Sequence, residues 1–182
     1  MRIHSARFLV FLLLLVAGCN AGDHRRELQI SSSEEVKEAL TFAPELQGKS
    51  IVLVFSDDDD DPSDGAKFAF GFQLAELEGH VEELLTNNMH VLKVEPDAVT
   101  VLRPASAEEV AAHYEIEPED ADPRLIRATD HVDSNSNSLL FAFGVRGEPF
   151  AVAVVDQNHE VMDLTRLGLT KEQLADVLTR RR

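Results

Sequence analysis

An α/β fold with a central mixed sheet, closed by a β-hairpin and a terminal helix, is predicted by three features of the sequence. The first is Ile51-Val52-Leu53-Val54-Phe55, a short apolar run rich in β-branched residues, the mark of a strand buried on both faces. The second is a helix and strand directly after it. Leu74, Leu77, Val81 and Leu84 or Leu85 recur at helical spacing, and His90 to Val94 then reads as a second strand, which gives a parallel strand–helix–strand crossover. The third is a hairpin from Phe150–Val155 and Glu160–Leu164 across Asp156-Gln157-Asn158-His159, ahead of a helix.

The remaining elements are read in chain order. Ser32 and Glu35 have the spacing of a capping box, and Val36, Ala39 and Leu40 supply a short amphipathic helix that Pro44 ends. Asn87-Asn88 closes the second helix, Pro96 stops the second strand, and Val99 to Leu102 reads as a further short strand. Ser106 and Glu109 cap a helix through Tyr114, with Val110, Ala111 and Tyr114 expected inward. From 115 to 138 the chain is rich in Glu, Asp, Ser and Asn and poor in order signals, and is expected to be an exposed insertion with at most one short helix around 124–128. Thr170 and Gln173 cap the last helix, whose buried stripe is Leu174, Val177 and Leu178 and whose negative end carries Arg180 to Arg182.

The length of 182 residues favours one domain, and a hydrophobic fraction of 44% is ordinary for a globular chain. Charge is the unusual feature: 17 basic against 33 acidic residues give −16, a surface that repels phosphates and argues against nucleic acid as a partner. With no Trp and one Tyr, the ten Phe supply nearly all the aromatic packing. Cys19 is the single cysteine, so no disulfide within the chain and no Cys-based metal cage can form.

Arg2, His4 and Arg7 precede an apolar run of nine residues, Phe8 to Val16. A bilayer core of about 30 Å takes roughly 20 helical residues, so the run is too short to span and reads as the core of a signal peptide. It ends in Val16-Ala17-Gly18-Cys19, which resembles the lipobox of bacterial lipoproteins. That resemblance implies removal of residues 1–18, diacylglycerol on the Cys19 sulfur, and an anchor to the cell membrane or outer membrane on its exported side, periplasmic in a Gram-negative cell. Asn20 after the cysteine favours the outer membrane by the family's sorting rule. Residues 19–31 then form the lipidated cysteine and a polar tether, and 32–182 the domain.

Phe143-Gly144-Val145-Arg146-Gly147-Glu148-Pro149-Phe150, with the strand, turn, strand and Leu169-Thr170-Lys171-Glu172-Gln173-Leu174 after it, resembles the C-terminal half of thioredoxin. The likeness is close over 143–180 and rests on pattern alone over 51–94. It implies a thioredoxin-like three-layer fold in which Pro149 is the family's cis-proline and Glu148 and Pro149 border an edge that binds extended polypeptide. A competing reading makes Leu139 to Val145 a strand, turned back at Arg146-Gly147, with an ordinary trans Pro149.

Counted from Phe55, the family's Cys-x-x-Cys positions fall on Asp60, Asp61, Pro62 and Ser63, and Val54 stands where the family has a buried acid. The nucleophile of thiol–disulfide exchange is a thiolate, so a chain without the pair cannot perform it. No catalytic residue is therefore assigned. The expected role is a non-enzymatic, redox-inactive module that binds an envelope protein or extended peptide.

The alternative is a divalent-cation binder. Asp57 to Asp61 and Asp64 place six carboxylates within eight residues, and Ca²⁺ bound by Asp57, Asp59, Asp61 and Asp64 would relieve their repulsion. The run lacks the glycine and distal Glu of an EF-hand, and a solvated acidic loop with no cofactor is the plainer reading. The seven His show no HExxH spacing, Ser56 and Ser63 lack the Gly-x-Ser-x-Gly elbow, and Gly144 and Gly147 read as turn residues rather than a phosphate loop.

Overall fold

A computed structural model describes residues 30–56, 64–166, 168–170, 172–173 and 175–176. The signal peptide, Cys19, most of the tether, and Asp57, Asp59, Asp60, Asp61, Pro62 and Ser63 lie outside the described residues. The chain forms an α/β fold whose strand and helix order is consistent with a thioredoxin-like arrangement. Helix α1 is Ser33–Ala39, begun by the predicted reciprocal Ser32–Glu35 cap. Strand β1, Ser50–Phe55, is buried along its whole length.

Two helices follow, α2 Asp64–Glu78 and α3 Val81–Thr86, where the spacing predicted one. Gly79 and His80 interrupt the helical run; the His80 N–H bonds three residues back, to Leu77. Strand β2, Met89–Glu95, pairs parallel with β1, and β3, Ala98–Ala105, returns beside β2 after the Pro96-Asp97 turn. Then come α4 Ala107–Tyr114, β4 Arg124–Val132, α5 Asp133–Ala142, β5 Ala151–Val155 and β6 Val161–Thr165. Short 3-10 turns occupy Pro44–Leu46 and Pro118–Asp120.

The six strands form one mixed sheet in the order β4-β3-β2-β1-β5-β6. Because successive side chains of a strand alternate, β1 feeds two cores. Ile51, Leu53 and Phe55 pack with Val36 of α1, with Leu40 at its C-cap, and with Leu139, Leu140 and Phe143 around α5; the Phe55 and Phe143 rings lie 5.3 Å apart. Val52 and Val54 pack on the other side with Leu77 of α2, Leu84 of α3, Val152 and Leu169. Helices thus cover both faces, the three layers expected of a sheet whose central strand is apolar throughout.

The stretch expected to be an insertion is instead ordered. Residues 124–132 form the nine-residue edge strand β4, paired antiparallel with β3, and Asp133 to Ser138 open helix α5. Charged and polar residues are what an edge strand tolerates, and both Glu78 carboxylate oxygens accept from the Leu125 N–H at 3.1 Å, covering part of the open edge. In α5, Ser136 is fully buried and its hydroxyl donates to the Glu95 carbonyl, so a residue of low helix propensity is held by a tertiary bond. Leu139 to Ala142 are therefore helical, not a strand. Tyr114, expected inward, is 49% exposed and packs edge-on against His113 with the Arg124 guanidinium over its ring.

Candidate binding edge

Glu148 and Pro149 sit at one end of the sheet. Phe55 at the end of β1 pairs with Ala151 at the start of β5, and Val152 pairs with Thr165 at the end of β6. Ser56, which leaves β1, the 145–150 turn and the exit from β6 therefore share that end. Gly147, at φ +74°, turns the chain, and the Glu148 N–H donates to the Val145 carbonyl at 2.9 Å. The Arg166 guanidinium donates to the Glu148 carboxylate at 2.7 Å, with both side chains about a quarter exposed, which ties the turn to the end of β6.

The Glu148–Pro149 peptide bond is trans, against the cis form the thioredoxin resemblance implies. Pro149 is exposed, and its bond follows the ordinary trans preference of about 0.5–1 kcal/mol. Val54 is fully buried among apolar neighbours, so the position carries no acid for dithiol chemistry. Asp64 begins α2, and the rest of the acidic run and Asp60, Asp61, Pro62 and Ser63, which the resemblance sets against Cys-x-x-Cys, lie outside the described residues.

A groove of about 330 Å³ adjoins this edge. One wall is Ala69, Phe72, Gln73 and Glu76, a single stripe of α2; the other is Phe150 with Gly168, Leu169 and Thr170. Gly168 adopts φ +75°, and a Cβ there would come within 2.9 Å of the Gln73 Oε1, so close approach requires glycine. That oxygen accepts from the Leu169 N–H at 2.8 Å, and the predicted Thr170–Gln173 cap forms just beyond. Phe68 and Phe72 stack at 6.1 Å between ring centres and stand 74% and 54% exposed. The leucine stripe of α2 dominates its sequence pattern and hides this neighbouring one; three Phe at alternate positions, 68, 70 and 72, are its signal, since they cannot all face one core.

Two polar groups lie elsewhere on the α1 face. The Thr129 hydroxyl donates to Glu45, the His131 Nε2 lies 3.2 Å from that hydroxyl and 3.8 Å from the Glu45 carboxylate, and the Phe42 ring meets His131 edge-on at 4.6 Å. The Thr129 hydrogen bond is the main cause that holds the Glu45 carboxyl below its ordinary value. Hydroxyl and carboxylate approach the same ring nitrogen, so the trio lacks the nucleophile–base–acid sequence of a hydrolytic triad and serves to pin the Pro44–Leu46 turn to β4. Burial, then the Lys49 charge, depress the His90 imidazole below its usual pKa. Among the described residues no three His, Cys, Asp or Glu side chains are grouped to hold a metal, and no helix is long and apolar enough to cross a membrane. The chain matches no protein-family model and no curated protein.

Proposed function

We propose that this chain is a lipid-anchored, redox-inactive, thioredoxin-like binding module of the bacterial cell envelope. Acylated Cys19 holds it at the membrane, and the edge at Glu148 and Pro149 faces an extended polypeptide or an envelope protein. The observation that carries the proposal is the lone Cys19 in Val16-Ala17-Gly18-Cys19, directly behind an apolar run too short to span a bilayer. One thiol cannot form an intramolecular dithiol pair, and lipid on its sulfur leaves none at all. Two or three acyl chains hold a protein stably where one does so only marginally, which suits a domain whose own charge is repelled by anionic lipid.

Two assays on the full chain test this together. The protein is expected to partition into the detergent phase and sediment with membranes, and to leave insulin disulfides intact with or without a thioredoxin reductase. Partition into the aqueous phase contradicts the anchor, and catalytic insulin reduction contradicts the inactive module.

A further inference from the structure

We infer that the groove between α1 and α5 is the docking site of this chain's own segment Arg26-Glu27-Leu28, with Arg26 set against Glu35 and Glu38 and Leu28 against Phe141. Docking here goes beyond the binding module and stands whether or not Cys19 carries lipid. For a chain acylated at Cys19 it leaves residues 20–25 as the free tether, so the domain stands closer to the membrane than the full tether allows.

The groove measures about 400 Å³. Glu35, Glu38, Ala39 and Phe42 form its α1 wall at helical spacing, and Phe141 and Ala142 belong to its α5 wall. Phe141 is 66% exposed, a large aromatic surface that the described residues leave to solvent. Among the described residues two carboxylates and no cation line the groove. Glu35 commits its Oε2 to the Ser32 cap, and Glu38, one turn on, is exposed. The groove therefore suits a cation beside an apolar side chain.

The start of the described chain identifies the occupant. The Ser31 N–H donates to the Ala142 carbonyl at 3.0 Å and its hydroxyl lies 3.5 Å from the Phe141 carbonyl, so the chain enters at the rim of this groove. The residues just before are Arg25-Arg26-Glu27-Leu28-Gln29, outside the described residues. Side chains of an extended segment alternate, which sets Arg26 and Leu28 on one side and Arg25 and Glu27 on the other. At ~3.3 Å per residue, Leu28 reaches up to about 10 Å from Ser31 and Arg26 up to about 16 Å. The α1 wall from Glu35 to Phe42 is about 10 Å long at ~1.5 Å per residue, so both side chains fall within it. An exposed Arg–carboxylate contact is weak alone, but a segment joined covalently at the rim meets the groove at an effective concentration of order millimolar.

Trypsin cleavage after Arg25 and Arg26 reads the docking. The full chain is digested in detergent micelles, the released N-terminal fragment is followed by mass spectrometry, and a synthetic peptide of residues 20–31 gives the rate for the free segment. Cleavage in the chain is expected to be at least tenfold slower than in the peptide. F141S and E38Q, both at exposed positions, and L28S should each speed it at least threefold, whereas E119Q, exposed on the Pro118–Asp120 turn, should change it less than twofold. If F141S melts early, E38Q and L28S decide. Cleavage as fast as in the peptide overturns the docking. So does protection that F141S, E38Q and L28S all leave within twofold, which the micelle alone explains, and so does protection that grows with protein concentration, which assigns the groove to the segment of a second copy.

Discussion

Placing an acid at position 54 is a direct test of the buried, apolar setting of β1. Val54 is fully buried in β1, between Lys93 of β2 and Val152 of β5 in register. V54D removes the burial of one aliphatic side chain, about 1.5–3 kcal/mol. It also desolvates a carboxyl, whose pKa rises by up to about 3–5 units when fully buried, at about 1.4 kcal/mol per unit. Lys93 is 30% exposed and already paired with Glu95 at 2.8 Å, so it offsets only part of this. The net loss at pH 7 is expected to be about 3–5 kcal/mol. The sign comes from the raised folded pKa. Above it the full penalty is present, whereas below the unfolded value of about 3.9 the carboxyl is neutral in both states and only the packing loss remains. Urea unfolding of V54D and of V54A at pH 7 and pH 3.5 separates the two contributions. V54D no worse than V54A at pH 7, or equally costly at both pH values, would refute the buried, acid-free setting of β1.

Two other outcomes are expected. Replacing Asp57 to Asp61 together by Asn should leave stability unchanged within about 0.5 kcal/mol or raise it slightly, because close like charges repel; thermal melts in Ca²⁺ and in chelator check this, and a loss of several kcal/mol in Ca²⁺ alone would favour the cation-binding alternative. T129V should cost about 1 kcal/mol at pH 7, through the lost bond to Glu45. Since the Glu45 pKa is lowered below 4.5, that contribution is present above the unfolded pKa and lost as pH falls through the folded one, so an equal cost at pH 3 and pH 7 in denaturant titrations would contradict it.

Elements whose signals are local were legible in the sequence. The β-branched run of β1, the capping boxes at Ser32, Ser106 and Thr170, and the Asp156–His159 turn, where the Asp156 carboxylate accepts from the Asn158 N–H at 2.8 Å, all formed where expected. Illegible were the elements decided by distant partners. Strand β4 lies at an edge and mixes charged residues among its apolar ones without strict alternation, and its register comes from β3, with a bulge between Val101 and Leu102. The start of α5 reads as a loop because the Ser136–Glu95 bond that holds it spans elements far apart in sequence. At the candidate edge, the place of Glu148 and Pro149 just before the start of β5 was legible, whereas the bond from the Leu169 N–H to the Gln73 Oε1 joins residues far apart in sequence and was not.

Mass spectrometry of the mature N-terminus tests the anchor most directly. The chain should begin at Cys19 with a thioether-linked diacylglycerol on its sulfur, and C19S should remain unprocessed at this site. A mature protein with unmodified Cys19, or one that begins at another residue, would contradict the lipid-anchored module.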